Sequence, residues 1–279
     1  MTNRSRGSIA AGIALAVVVV GAAVWFLFLR SDAPPAVDLD SATEQVTSTT
    51  EDAGGTDTTT SSTVPVESLD GTWVVDNESG DFDFESATGS FAGYRVEEEL
   101  ANIGSTEAVG RTGEVTGELV LEGTTLRSVE VTVDLSAIES DEPRRDNRVQ
   151  DALETEAFPT ATFELTEPVE IGAAAAEQQE ISVEAAGELT IHGVTRSVTV
   201  ELDAQLVEGT AVVVGSIPIE LSDFGIEAPS APMVLSVSEE ATIEFQLLFT
   251  RQDPDAAGTA AEGGEAGSTP STAVDQSTL

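Results

Sequence analysis

The chain has 279 residues, with 51 Asp plus Glu against 11 basic residues and a formal net charge of −40. An excess of that size excludes polyanionic partners such as DNA, RNA and heparin, and it disfavours flat adsorption on anionic lipid. Cysteine is absent, which removes disulfides, a thiolate nucleophile and a lipid-acylation site.

In chain order, the first element is an uncharged run of 21 residues at 9–29, rich in Ala, Val, Leu and Ile. It is long enough to cross a bilayer as a helix. Arg4 and Arg6 before it predict a cytoplasmic N-terminus, and no small-residue cleavage site follows Trp25. The expectation is an uncleaved transmembrane signal anchor over residues 1–30. That makes a single-pass cell-membrane protein whose C-terminal domain is extracytoplasmic. Residues 31–68 are mostly Ser, Thr, Asp, Glu and Pro, a composition that predicts a disordered acidic linker. Residues 252–279 read as a disordered tail.

Between them, residues 69–251 read as one domain of strands. Tyr94, Val96 and Leu100 alternate with Arg95, Glu97 and Glu99; Leu119 and Leu121 alternate with Glu118 and Glu122. Val129, Val131, Val133 and Leu135 oppose Glu130, Thr132, Asp134 and Ser136. Phe163 and Leu165 mark a further strand. Residues 181–191 and 198–204 predict a hairpin turning at His192 and Gly193, and 212–221 and 243–249 close the series. The segment from Trp73 to Phe84 is expected to add strand, and only residues 145–155 read as helical. Short alternating strands in succession favour an antiparallel up-and-down barrel, because closure removes exposed edges. Its interior either holds one apolar ligand or is simply packed.

Several motifs stand in a shared order: Trp73-Val74-Val75-Asp76 with Ser79, Phe82 and Phe84; Val115-Thr116-Gly117; VEVTVDLSAIESD at 129–141; Arg145-Asp146; Leu153; FPTATF at 158–163; LTIHGVTRSVTV at 189–200; and Asp223-Phe224-Gly225-Ile226. Together they resemble the YceI family of polyisoprenoid-binding, lipocalin-like domains. The resemblance implies an extended antiparallel β-barrel with one helix, enclosing an apolar tunnel for an isoprenoid chain, in a binding protein and not an enzyme. Glu78-Ser79 stands where the family usually has His-Ser, and Leu221-Ser222 where a basic or polar residue is common. The candidate tunnel wall is Phe84, Tyr94, Val96, Val131, Val133, Phe163, Leu189, Ile191, Val200 and Phe245.

The chemistry-bearing residues point the same way. His192 is the single histidine, with no cysteine to complete a metal site or a nucleophile pair, and its place beside Gly193 predicts a structural role in a turn. The carboxylates fall on the polar parity of strands, where water solvates them, so a glycosidase pair is not expected. Residues 139–146 lack a calcium-loop pattern and contain Arg144 and Arg145. Glu98 and Arg111 share the apolar parity of their strands. A hairpin turning around residues 102–106 would set them nearly opposite, as a clamp for a lipid head group or as a structural ion pair, unless a bulge at Gly110 or Gly113 turns Arg111 outward.

The reading is a membrane-tethered, extracytoplasmic lipid-binding protein that holds a quinone or polyprenyl carrier. The expected partners are the isoprenoid ligand and the membrane, with no nucleic acid, no cofactor, no metal and a possible homodimer. The alternative is a ligand-free extracellular interaction or stress-related barrel.

Overall fold

Eleven strands, two α-helices and two short 3-10 helices form the regular structure in the described part of the computed structural model, which covers residues 33–53, 68–86, 88–101, 104–229 and 234–252. The strands are β1 (Gly71–Val75), β2 (Phe91–Leu100), β3 (Gly104–Thr112), β4 (Val115–Glu122), β5 (Thr125–Asp134), β6 (Thr160–Leu165), β7 (Val169–Glu170), β8 (Ile181–Ile191), β9 (Val194–Val207), β10 (Thr210–Glu220) and β11 (Val234–Arg251). The helices are α1 (Leu39–Ala53) and α2 (Pro143–Ala152).

All pairings are antiparallel. Neighbours run β1-β4-β5-β6-β8-β9-β10-β11, and β11 returns to β1 to close an eight-strand ring. The succession from β4 to β11 is the expected up-and-down arrangement, interrupted only by β7, which pairs with β5. The β2–β3 hairpin departs from it. It does not lie between β1 and β4 but extends the wall beyond β11. The long β11 serves both neighbours, pairing with β2 along its first part and with β1 from Phe249 to Arg251. The far edge of β3 is tied to the chain beyond β5 by reciprocal backbone hydrogen bonds between Arg111 and Glu139, of 2.9 and 3.0 Å.

Two-residue turns account for the sharpest hairpins. Ile191 pairs with Val194, so His192 and Gly193 alone make the turn, with φ of 52° and 71°. Positive φ at both central residues is the turn that matches strand twist; glycine adopts it freely, and histidine is among the side chains that visit it.

Three expectations need correction. Residues 39–53 do not belong to a disordered linker: they form α1, introduced by Asp38, whose carboxylate accepts from the Ser41 N–H at 2.9 Å. Leu39 and Ala42 of this helix are buried against Val212, Val214 and Leu248 on the outside of the barrel, which offsets a composition otherwise poor in apolar residues. The strand expected from Trp73 to Phe84 ends at Val75, because Asp76 turns its carboxylate back to the Glu78 and Ser79 N–H groups. The predicted helix begins earlier, at Pro143, which fits a first-turn position, and its carboxylate cap is Glu142.

Residues 1–32, with the expected span at 9–29, lie outside the described residues, as do the linker residues 54–67 and the tail from 253. Among the described residues no helix is long and apolar enough to cross a membrane.

Candidate functional site

Strand alternation turns every second side chain, mostly apolar, to the inside of the ring, and these side chains do not fill it. A cavity of about 320 Å³ remains, at the lower end of ligand-pocket sizes. Its wall draws on every strand of the closed ring and on β2, β3 and α2. Two apolar clusters lie end to end along it. One is built on Trp73, Leu119, Leu126 and Ala175, the other on Leu135, Ile191, Val200 and Phe224; Val133, Leu202 and Phe245 touch both. Of the residues expected to line a tunnel, Tyr94, Val96, Val131, Val133, Phe163, Leu189, Ile191, Val200 and Phe245 do so. Phe84 does not. It is buried in the turn after β1, outside the cavity wall.

The lumen stays open because the large rings lie along the wall instead of across it. A Cβ at Gly215 would come within 2.5 Å of Phe245, one at Gly187 within 2.3 Å of Phe163, and one at Gly110 within 2.4 Å of Tyr94. Each glycine therefore provides the recess into which a neighbouring strand's ring folds.

The polar part of the wall is concentrated where β2 meets α2. Glu98, only 8% exposed, accepts a hydrogen bond from Arg145 Nη2 at 3.0 Å. Arg145 Nη1 donates to Asp141, and the guanidinium pKa is raised: burial opposes the charge, but Asp141 and Glu98 more than compensate. Tyr94, two pleat repeats from Glu98 on the same face of β2, has a buried hydroxyl without a hydrogen-bond partner among the described residues. Burial pushes its pKa up. Gln179 and Gln205 are the polar members of the wall elsewhere, together with Thr162.

Glu98 and Arg111 are both buried, as expected, but they are not partners. Leu100 pairs with Gly104, so Glu98 faces Thr106 and Arg111 faces Gly93. That register sets Arg111 on the outer face, where Nη2 binds Glu244 at 2.7 Å and the Pro35 carbonyl at 2.8 Å, with its guanidinium 4.6 Å from the centre of the Phe91 ring. Arg95 joins the same group, bonding Glu244 at 3.2 Å and the Pro34 carbonyl at 2.9 Å. Only the fold reveals this cluster. Glu244 alternates with Ile243 and Phe245 like any solvated strand residue, yet it is 2% exposed.

His192 takes the turn role expected of it. Its Nδ1 lies 3.1 Å from the Phe224 carbonyl, which can only accept, so Nδ1 is the donor. The ring packs edge-on against Phe158 at 5.1 Å. Among the described residues no group of His, Asp and Glu side chains is arranged to hold a metal ion.

A family model described as a YceI-like domain matches residues 39–249, beginning at the first residue of α1. Similar solved structures include a polyisoprenoid-binding domain from Saccharophagus degradans, at 18% identity and a TM-score of 0.46, with 58% of this chain and 98% of that chain covered. BcnA from Burkholderia cenocepacia is 20% identical, with a TM-score of 0.44 and coverage of 56% and 95%. A YCEI protein from Campylobacter jejuni is 16% identical, with a TM-score of 0.41 and coverage of 52% and 85%. A search of curated proteins finds no match.

Proposed function

This chain belongs to the YceI-like domain family, and from that premise we propose that it holds an isoprenoid lipid inside the barrel while anchored to a membrane by residues 9–29. The observation that carries the reading is the cavity wall: apolar along its length, with an ion pair and a buried hydroxyl gathered at the α2 end. A chain with one polar terminus matches that distribution. Burial supplies most of the affinity, at about 0.8 kcal/mol for each methylene removed from water.

In this reading the domain lies outside the cytoplasm, next to the bilayer from which such lipids come. The acidic surface limits adsorption to anionic lipid, so that loading alternates with release. No catalytic step is needed for this work.

The test is organic extraction of the full chain, purified in mild detergent from its own membranes, followed by mass spectrometry. A prenyl lipid near one per chain is expected. Glycerophospholipid alone, in the amount carried by any detergent-extracted protein, would overturn the assignment. Protease added to intact spheroplasts tests the topology separately: the barrel should be digested, and protection would place it on the other side.

A further inference from the structure

We propose that the α2 end of the cavity selects an uncharged isoprenoid whose head accepts a hydrogen bond, with Tyr94 as the donor, and that it rejects phosphorylated heads. The inference rests on the lipid-binding reading above and deepens it.

The hydroxyl is covered in the empty barrel and has no partner among the described residues; an unmet buried donor is costly, and a small turn of the ring toward the lumen brings it to a ligand acceptor from its place in the cavity wall. Tyr94 is held there by construction: its ring and hydroxyl lie over Gly110, where any Cβ would come within 2.4 to 2.9 Å of them. Burial raises the phenol pKa, so the group is protonated and donates at any ordinary pH.

A phosphate would need unspent positive charge, and the site has none. Arg145 is the one cation in the wall among the described residues, and Glu98 and Asp141 already engage it. Asp146, bonded by the Ser140 hydroxyl at 2.5 Å, is a third carboxylate acting on Tyr94. Within the wall Glu98 balances the Arg145 charge, and Asp141 and Asp146 add negative charge just outside it, so a phosphate meets no uncompensated cation there. Arg95 and Arg111 give no relief, because they are on the outer face and are committed to Glu244 and the Pro34 and Pro35 carbonyls.

The experiment is competition by farnesene, farnesol and farnesyl phosphate, three heads on one chain length, against an apolar fluorescent probe bound to the purified full chain. Farnesol should compete at least about tenfold better than farnesyl phosphate, given like-charge repulsion near the buried Glu98 carboxylate and the absence of a free cation among the described wall residues. Tyr94→Phe should lower the farnesol-to-farnesene affinity ratio roughly three- to tenfold, the value of one net hydrogen bond. Glu98→Gln, which loosens the hold on Arg145, should narrow the gap between farnesol and farnesyl phosphate. If the phosphate competes as well as the alcohol, or if Tyr94→Phe leaves the ratio unchanged while farnesene still competes, this inference fails and the lipid-binding reading stands. If none of the three competes, both fail.

Discussion

Arg111 Nη2 and Glu244 Oε1 meet at 2.7 Å on the outer face of the barrel, and both side chains are buried there beside the Pro35 carbonyl. This pair fastens the start of the described chain to the wall formed by β2, β3 and β11. Two arginines converge on one carboxylate that would otherwise be a lone buried charge.

Replacing Arg111 with Met therefore acts on stability and not on lipid selection. Leaving Glu244 with half its partners should cost about 3 kcal/mol in chemical denaturation. The farnesol-to-farnesyl phosphate preference of the folded fraction should stay at the wild-type value; a shifted preference would return Arg111 to the ligand site.

Helix α1 is part of the domain, and its docking depends on a small apolar patch. Leu39→Ala removes a side chain packed against Val212, Val214 and Leu248 and should cost about 2–3 kcal/mol. Denaturant titration in which the midpoint falls while the slope is kept would show that α1 unfolds together with the barrel. An unchanged midpoint would make α1 an independent appendage.

The glycine recesses predict how the lumen can be closed. At Gly215 an added methyl would sit 2.5 Å from the Phe245 ring and 2.9 Å from the Glu201 carbonyl, so the ring must swing inward. Gly215→Ala should cost about 1–3 kcal/mol and reduce the lipid recovered per chain. Full lipid recovery from a folded variant would show that the ring does not control the lumen.

Asp76 gives a pH-dependent term at the end of β1. Burial raises its pKa, but the Ser79 hydroxyl at 2.7 Å and the Glu78 and Ser79 N–H groups outweigh it and hold the carboxyl below 3.8. A folded-state pKa below the unfolded one means stability that is full above the unfolded value and lost as pH falls through the folded one. Asp76→Asn should therefore cost about 0.5–1 kcal/mol at neutral pH, as for one partly exposed hydrogen-bonding group. The difference should shrink to nothing as acid protonates the wild-type carboxyl, and a gap that persists there would assign the loss to packing.

Strand placement was legible because a half-buried strand repeats every two residues, and that repeat survives in Val129, Val131 and Val133 or Leu189 and Ile191 whatever the neighbours are. The motif order likewise carried the family, and nearly all the expected cavity wall followed from parity. Arg111 shows where parity stops. It has the numbering of Leu119 and Leu121, but the turn at Gly113 and Glu114 intervenes, so that Ala108 lines the cavity on β3 and Leu119 and Leu121 on β4. A register set by Leu100 against Gly104 then turns Arg111 outward, since a slip of one residue moves every side chain of a strand to the other face.

The sequence by itself determined the barrel, its apolar interior and the turn at His192, because these depend on local periodicity and on what glycine and histidine backbones tolerate. Only the tertiary structure decided the partners of its charges. Glu98 met Arg145 from a helix 47 residues away, and Arg111 met Glu244 across 133. Local pattern fixes which face a residue prefers, but pairing between distant segments depends on register and on what covers the face, and neither has a local signature.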